Sequence, residues 1–282
     1  MSIFLLSQYL LPQHFLSRLL GKIARCQWPW LKNLIIKNYC KFYRIDLSEA
    51  QENDYRNYRS FDDFFTRPLK PRARSLTTEA NTIISPVDGI VYQLGKIFQG
   101  QMICAKGKGF TLEQLLGSSA EAALYAGGDF MVIYLTPSDY HRIHMPLAGK
   151  LGSMRYIPGK LFSVNPSIIE VIPDIFARNE RVVVNFSSPL GPTTMVLVGA
   201  MVVGSISTSW AGMVVPRTPI QITNWDYAAE QREFSLGDEI GQFHLGSTVI
   251  LIFPKDSVCF SDHLVECTRI KMGELLGTFK NI

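Results

Sequence analysis

The sequence predicts an α+β protein: N-terminal amphipathic helices suited to a membrane surface, followed by a mainly antiparallel β domain. Three observations predict it. Residues 1–45 hold seven basic residues and no Asp or Glu, with apolar residues at helical spacing. After residue 80 the chain changes to runs rich in Val, Ile and Met, punctuated by Gly, Pro, Ser and Asn, the pattern of strands joined by turns. Long helical patterns do not alternate with those runs, which disfavours a doubly wound α/β sheet.

Composition bounds the function. The chain has 282 residues, 47% hydrophobic and 18% charged, so it can bury a sizeable core and is neither disordered nor fibrous. Mean hydropathy is +0.10, yet no stretch reaches the ~18 uninterrupted apolar residues of a spanning helix. The net charge of +4 belongs to the N-terminal arm, because the rest of the chain is net acidic. A nucleic-acid groove across the whole protein is therefore not expected. The five cysteines (Cys26, Cys40, Cys104, Cys259, Cys267) are odd in number and never spaced as a CxxC pair. That pattern favours reduced thiols in the cytosol over disulfides or a zinc site. Met1–Leu11 is apolar but lacks a preceding basic residue and an obvious cleavage site, so no secretory signal is expected.

From Pro12 the arm reads as helix, with Phe15, Leu16, Leu19, Leu20 and Ile23 on one side and Arg18, Lys22 and Arg25 on the other. Pro29 interrupts it. Leu31, Leu34, Ile35 and Phe42 begin a second period flanked by Lys32, Lys37, Lys41 and Arg44, with Trp28 and Trp30 at the junction. Basic amphipathic helices of this kind fit an anionic membrane surface; packing on the protein's own core is the alternative. A polar connector, Asp46–Tyr58, leads to Ser60–Pro68, which reads as a cap, a short aromatic helix and a proline stop. Lys70, Arg72 and Arg74 form a basic loop that, like Lys106, could meet a phosphate but reads first as exposed, solvated charge. The boundary is set near residue 75, giving a helical region 1–75 and a β-rich domain 76–282. Strands are expected over Phe130–Leu135, Val182–Phe186, Met195–Val203 and Val249–Phe253, a turn at Ser85–Gly89, and a capping box at Thr111–Gln114.

Two segments carry candidate chemistry. Asp139-Tyr-His-Arg-Ile-His-Met-Pro146 holds two of the five histidines. His141 and His144, at i and i+3, would share one face of a helix and could bind zinc, but no third ligand stands at a convincing spacing, and no metal is expected. A satisfied structural histidine and a general base oriented by a carboxylate remain open. The second segment is Phe243-His-Leu-Gly-Ser-Thr-Val-Ile250. Gly246-Ser247-Thr248 reads first as a turn feeding a strand. A Gly–Ser bond also permits attack of the Ser hydroxyl on the preceding carbonyl, since Gly offers no side chain to obstruct it. The G-x-S-x-G elbow of serine hydrolases is absent.

The chain resembles the phosphatidylserine decarboxylases, pyruvoyl enzymes of membrane lipid synthesis. Leu245-Gly246-Ser247-Thr248 is similar to that family's L-G-S-T processing site. The likeness extends, collinearly, over Ser60–Arg67, Leu69–Arg74, Ser85–Gly89, Lys106-Gly107, Leu115–Gly117, Asp139–Pro146, Pro158–Asn165, Phe176–Arg181 and Val198–Ser205.

The resemblance implies a catalytic β domain that cuts itself between Gly246 and Ser247. Asp88 matches the triad carboxylate, His144 the base and Ser247 the nucleophile that becomes the covalent pyruvoyl group. His141 matches a second active-site histidine acting on substrate. The products, residues 1–246 and 247–282, are expected to stay together as a heterodimer, with a further dimer implied by the family alone. Substrate would be phosphatidylserine in an anionic membrane, with the protein peripheral on the cytoplasmic side of the inner membrane. Val198–Ser205 and Pro158–Asn165 are expected to line the pocket. A pyruvoyl decarboxylase of a soluble amino acid and a non-enzymatic membrane-binding domain are the alternatives.

Overall fold

The computed structural model describes residues 13–77, 79–104, 108–200, 205–215, 220–244 and 246–279. Met1–Leu11, Lys106-Gly107, residues 201–204 and Leu245, all used above, lie outside them.

Helix α1 spans Gln13–Ala24 and α2 spans Pro29–Tyr43. Pro29 opens the second helix at a first-turn position, where its missing N–H costs nothing. The expected interruption is thus the start of a new helix. Ala24 and Ile36 turn inward against Tyr58, Phe61, Phe64 and Phe65. Phe15, Leu19, Trp28, Trp30, Leu34 and Phe42 face outward. One face of the arm thus packs on the protein's own core, and the other leaves large apolar side chains exposed. Lys32 departs from the solvated-face expectation. It is buried and its Nζ donates to the Arg56 carbonyl at 2.7 Å.

The short aromatic helix α3 spans Phe61–Phe65, capped by the Ser60 hydroxyl, which accepts from Asp63 N–H at 3.2 Å. Its three phenylalanines are buried, with Tyr39 packed edge-on against Phe61. The helical layer is tied to the β body through Tyr39, whose hydroxyl donates to Pro137 O at 3.0 Å. Arg67 adds a bond to Ser138 O. Arg74 also departs from the sequence reading: its side chain is 6% exposed and makes ion pairs inside the protein.

Among the described residues, every pairing between strands is antiparallel, and a single isolated bridge, Lys160 with Asn179, is parallel. The largest sheet runs, in spatial order, Thr223–Asp226, Gly149–Ile157, Arg181–Ser188, Gly191–Gly199, Ser247–Phe253, Asp129–Leu135, Gly89–Lys96 and Arg269–Ile270, with Glu233–Phe234 also on Gly149–Ile157. A four-stranded sheet orders Gly212–Val215, Ile206–Thr208, Glu239–Phe243 and Arg142–His144. A three-stranded sheet holds Thr82–Ile84, Leu275–Phe279 and Val258–Phe260. The capping box at Thr111 and Gln114 is present in both directions, each bond 3.1 Å.

The strand Ser247–Phe253 lies inside the large sheet and is buried at every residue. Side chains alternate across a strand. Val249, Leu251 and Phe253 enter the core on one face and Ile250 and Ile252 the core on the other. Each such side chain contributes roughly 1.5–3 kcal/mol of burial. This explains an uninterrupted apolar run in an antiparallel sheet: both faces are covered, so alternation with polar residues has no place.

Candidate active site

The Gly246–Ser247 junction sits at the head of that strand. Gly246 adopts φ +58°, a left-handed conformation that side-chain-bearing residues rarely take. Ser247 opens the strand in register with Leu135 on one side and Gly199 on the other. It is fully buried, and its Oγ has no hydrogen-bond partner. A buried orphan hydroxyl is costly and rare, which marks the position as one kept for reasons other than stability.

His141 stands just before, and His144 ends, a three-residue strand, Arg142–His144, so the two do not share a helix face as the zinc reading requires. The strand pairs with Glu239–Phe243, which leads into the junction. His141 is fully buried beside Phe65, with ring centroids 4.1 Å apart. Its Nδ1 lies 2.8 Å from Asp139 O. A carbonyl only accepts, so Nδ1 carries the proton and the lone pair is on Nε2. That Nε2 is buried without a partner. Burial pushes the imidazole pKa down to about 3, so the ring is neutral at physiological pH.

His144 is held at both nitrogens. Nδ1 donates to Gly237 O at 2.9 Å and Nε2 accepts from the Tyr140 hydroxyl at 2.9 Å. Burial holds its pKa below the ordinary imidazole value. Gly237 adopts φ +82°, and a Cβ there would meet Leu76 at 2.7 Å, so the turn that delivers this carbonyl depends on glycine.

Asp88 lies in the Ser85–Gly89 turn. His144 N–H donates to Pro86 O at 2.9 Å, which brings the turn and the histidine strand together. No hydrogen bond joins Asp88 to His144. The carboxylate is engaged instead by Arg74, through Nε at 3.0 Å and a second, shorter bond from Nη2, and by Met272 N–H at 2.8 Å. Arg74 Nη1 also donates to Glu49 Oε2 at 2.7 Å. Gly89 fixes the turn against the neighbouring strand: a Cβ would meet Tyr134 O at 2.6 Å. A cavity of about 210 Å³ is lined in part by Asp88, Arg74, Tyr140 and Arg67.

The structure thus gathers Asp88 and His144 at one turn and leaves Ser247 and His141 as buried, partner-poor groups. Arg74, Tyr140 and Gly237 escaped the sequence reading as site residues. Tyr140 stood within the quoted histidine segment, and Gly237 in a Leu-Gly-Asp turn. Nothing local distinguished Arg74 from its exposed neighbours.

The site is a Gly–Ser junction with its serine buried, and with two buried histidines at the strand that pairs with Glu239–Phe243, the segment leading into it. Comparison with known proteins identifies its class. The family model described as phosphatidylserine decarboxylase matches residues 61–278, and a second, described as PSD, matches residues 3–44. The chain is 49% identical over 280 residues to the phosphatidylserine decarboxylase proenzyme of Ectopseudomonas mendocina, covering 98% of this chain and 97% of the relative. It is 47% identical to the proenzyme of Azotobacter vinelandii, covering 98% and 97%. A Shewanella proenzyme is also 47% identical, covering 97% and 96%. The chain belongs to the phosphatidylserine decarboxylase family.

Proposed function

We propose that this chain cuts itself between Gly246 and Ser247, makes a pyruvoyl group from Ser247, and decarboxylates phosphatidylserine to phosphatidylethanolamine at a membrane surface. The observation that carries the reading is the Ser247 hydroxyl: buried, without a partner, and preceded by a glycine in a left-handed conformation.

His144 is the proposed base. The Gly237 carbonyl fixes its proton on Nδ1, so Nε2 is the atom that takes the Ser247 proton, with the Tyr140 hydroxyl as its present partner. Asp88 supplies the carboxylate of the same turn, with Arg74 as its counter-ion. Ser247 Oγ attacks the Gly246 carbonyl and the amide becomes an ester. Loss of the Ser247 Cα proton breaks the Cβ–Oγ bond, which frees the Gly246 carboxylate and leaves an unsaturated residue. Water converts that residue, with loss of ammonia, to the pyruvoyl group.

The residues present fit the group: the orphan Ser247 Oγ is the atom from which it would form, and His141 Nε2 keeps a free lone pair. The pyruvoyl group supplies an electron sink for decarboxylation of an amine-bearing headgroup. His141, neutral and sheltered, is the proposed residue for handling a proton on the substrate. The products 1–246 and 247–282 remain a heterodimer because Ser247–Phe253 is paired on both sides.

The proposed membrane arm is residues 1–75. Apolar side chains of α1, α2 and their junction face outward beside Arg18, Lys22, Lys37 and Lys41. Each basic residue near an anionic leaflet contributes about 1 kcal/mol. No helix among the described residues is long and apolar enough to cross a membrane. A peripheral position on the cytoplasmic face of the inner membrane accords with that arm.

Denaturing intact mass tests the reading. The wild-type chain is expected as two pieces split at 246/247, the smaller bearing a ketone, and Ser247→Ala as one inactive piece. A wild-type chain that stays whole after incubation with phosphatidylserine vesicles overturns it.

A further inference from the structure

His244 has no part in the chemistry above, yet its ring is held at both ends. Nδ1 lies 2.9 Å from Asp62 Oδ1, and Nε2 lies 2.9 Å from Ser207 Oγ. The backbone N–H of His244 donates to Ser205 O at 2.9 Å. A carboxylate accepts, so Nδ1 carries a proton. Nε2 then accepts from the Ser207 hydroxyl in the neutral ring and donates to its oxygen in the cation, and the arrangement survives either state. The side chains of His244 and Asp62 are 12% and 18% exposed, so water competes weakly for these bonds.

The three groups join the helical layer to two paired strands of the four-stranded sheet. Asp62 lies on α3 of the helical layer, Ser207 in the strand Ile206–Thr208, and His244 just past the strand Glu239–Phe243. His244 is two residues before Gly246. The second Asp62 oxygen lies 3.8 Å from Arg25 Nε, just past the end of α1. A line of polar contacts therefore runs from the helix that turns apolar residues outward to the segment carrying the bond to be cut.

We propose that His244 is a positioning residue: clasped between Asp62 and Ser207, it fixes the segment that presents the Gly246 carbonyl and keeps the new Gly246 carboxyl end docked after cleavage. This rests on the reading that the chain cuts itself at 246/247. Misplacing a reacting group by about 1 Å costs on the order of 100-fold in rate. Loss of the clasp is accordingly expected to slow cleavage by roughly 10- to 100-fold.

The test uses the full chain, made by cell-free synthesis and sampled over time by denaturing intact mass. His244→Ala is expected to cut in the slow range just given. His244→Asn keeps an N–H donor where Nδ1 stands and is expected to cut within a few-fold of wild type. Asp62→Ala is expected to match His244→Ala. Melting of the uncut Ser247→Ala chain, with and without His244→Ala, separates positioning from folding: the two are expected to melt alike. In the mature protein, carboxypeptidase is expected to trim the Gly246 end faster in His244→Ala than in wild type. Cleavage of His244→Ala at the wild-type rate overturns the proposal, as does a His244→Asn chain as slow as His244→Ala. A wild-type chain that never cuts overturns the underlying reading and the positioning role with it.

Discussion

Glu180 offers a quantitative test of the packing around the junction. It is 4% exposed, and its Oε1 accepts from the Tyr156 hydroxyl at 2.5 Å. Its carbonyl accepts from Gly199 N–H, and Gly199 is the register partner of Ser247. Burial raises its pKa from 4.5 to about 7, against the smaller opposing effects of Tyr156 and Arg18. The folded state therefore binds a proton more tightly than the unfolded chain. The stability this contributes is fully present below pH 4.5 and is lost as pH rises through 7. At about 1.4 kcal/mol per pH unit, the loss amounts to about 3 kcal/mol. Glu180→Gln keeps the acceptor for Tyr156 and removes the titration. Placed in the uncut Ser247→Ala chain and compared with that parent by urea denaturation between pH 4.5 and 8, the variant should gain about 3 kcal/mol relative to the parent as pH rises. A difference between the two chains that stays constant across that range would refute the assignment of a protonated, buried Glu180.

Other perturbations follow from the same geometry. Arg74→Met removes the counter-ion of a buried carboxylate, and denaturation of the uncut chain should show a loss of about 3–5 kcal/mol, with slowed cleavage by intact mass. Leu251→Ala empties a fully buried position in the strand paired on both sides; the loss should be about 2–5 kcal/mol in the same assay. Trp28→Ala, Trp30→Ala and Phe42→Ala together remove side chains that are 64%, 66% and 78% exposed. Co-sedimentation with anionic vesicles should fall sharply while melting of the protein stays near wild type.

Much of the fold was legible in the sequence because local physics decides it. Helix α1 follows from the spacing of its apolar residues, the restart at Pro29 from a fixed φ and a missing N–H, and the Ser60 cap and the Thr111–Gln114 box from side chains satisfying nearby backbone groups. The runs Phe130–Leu135, Val182–Phe186 and Val249–Phe253 became strands because β-branched and aromatic residues fill a covered, pleated surface. The histidine segment stood out in the sequence, though not as a strand. Arg142–His144 holds too few residues for periodicity to distinguish a helix face from an extended segment.

The sequence by itself determined the order and type of most elements, the basic arm, the Gly–Ser junction and the family to which these belong. Only the tertiary structure decided who partners whom. Asp88 binds Arg74 and not His144, His144 is set by Gly237 and Tyr140, and His244 meets Asp62 from 182 positions earlier. The physical reason is that pattern and capping act over a few residues along the chain, whereas burial charges a penalty to every unpaired polar group wherever the fold places it. Which cation or carbonyl answers that penalty depends on distances that exist only once the sheets have closed.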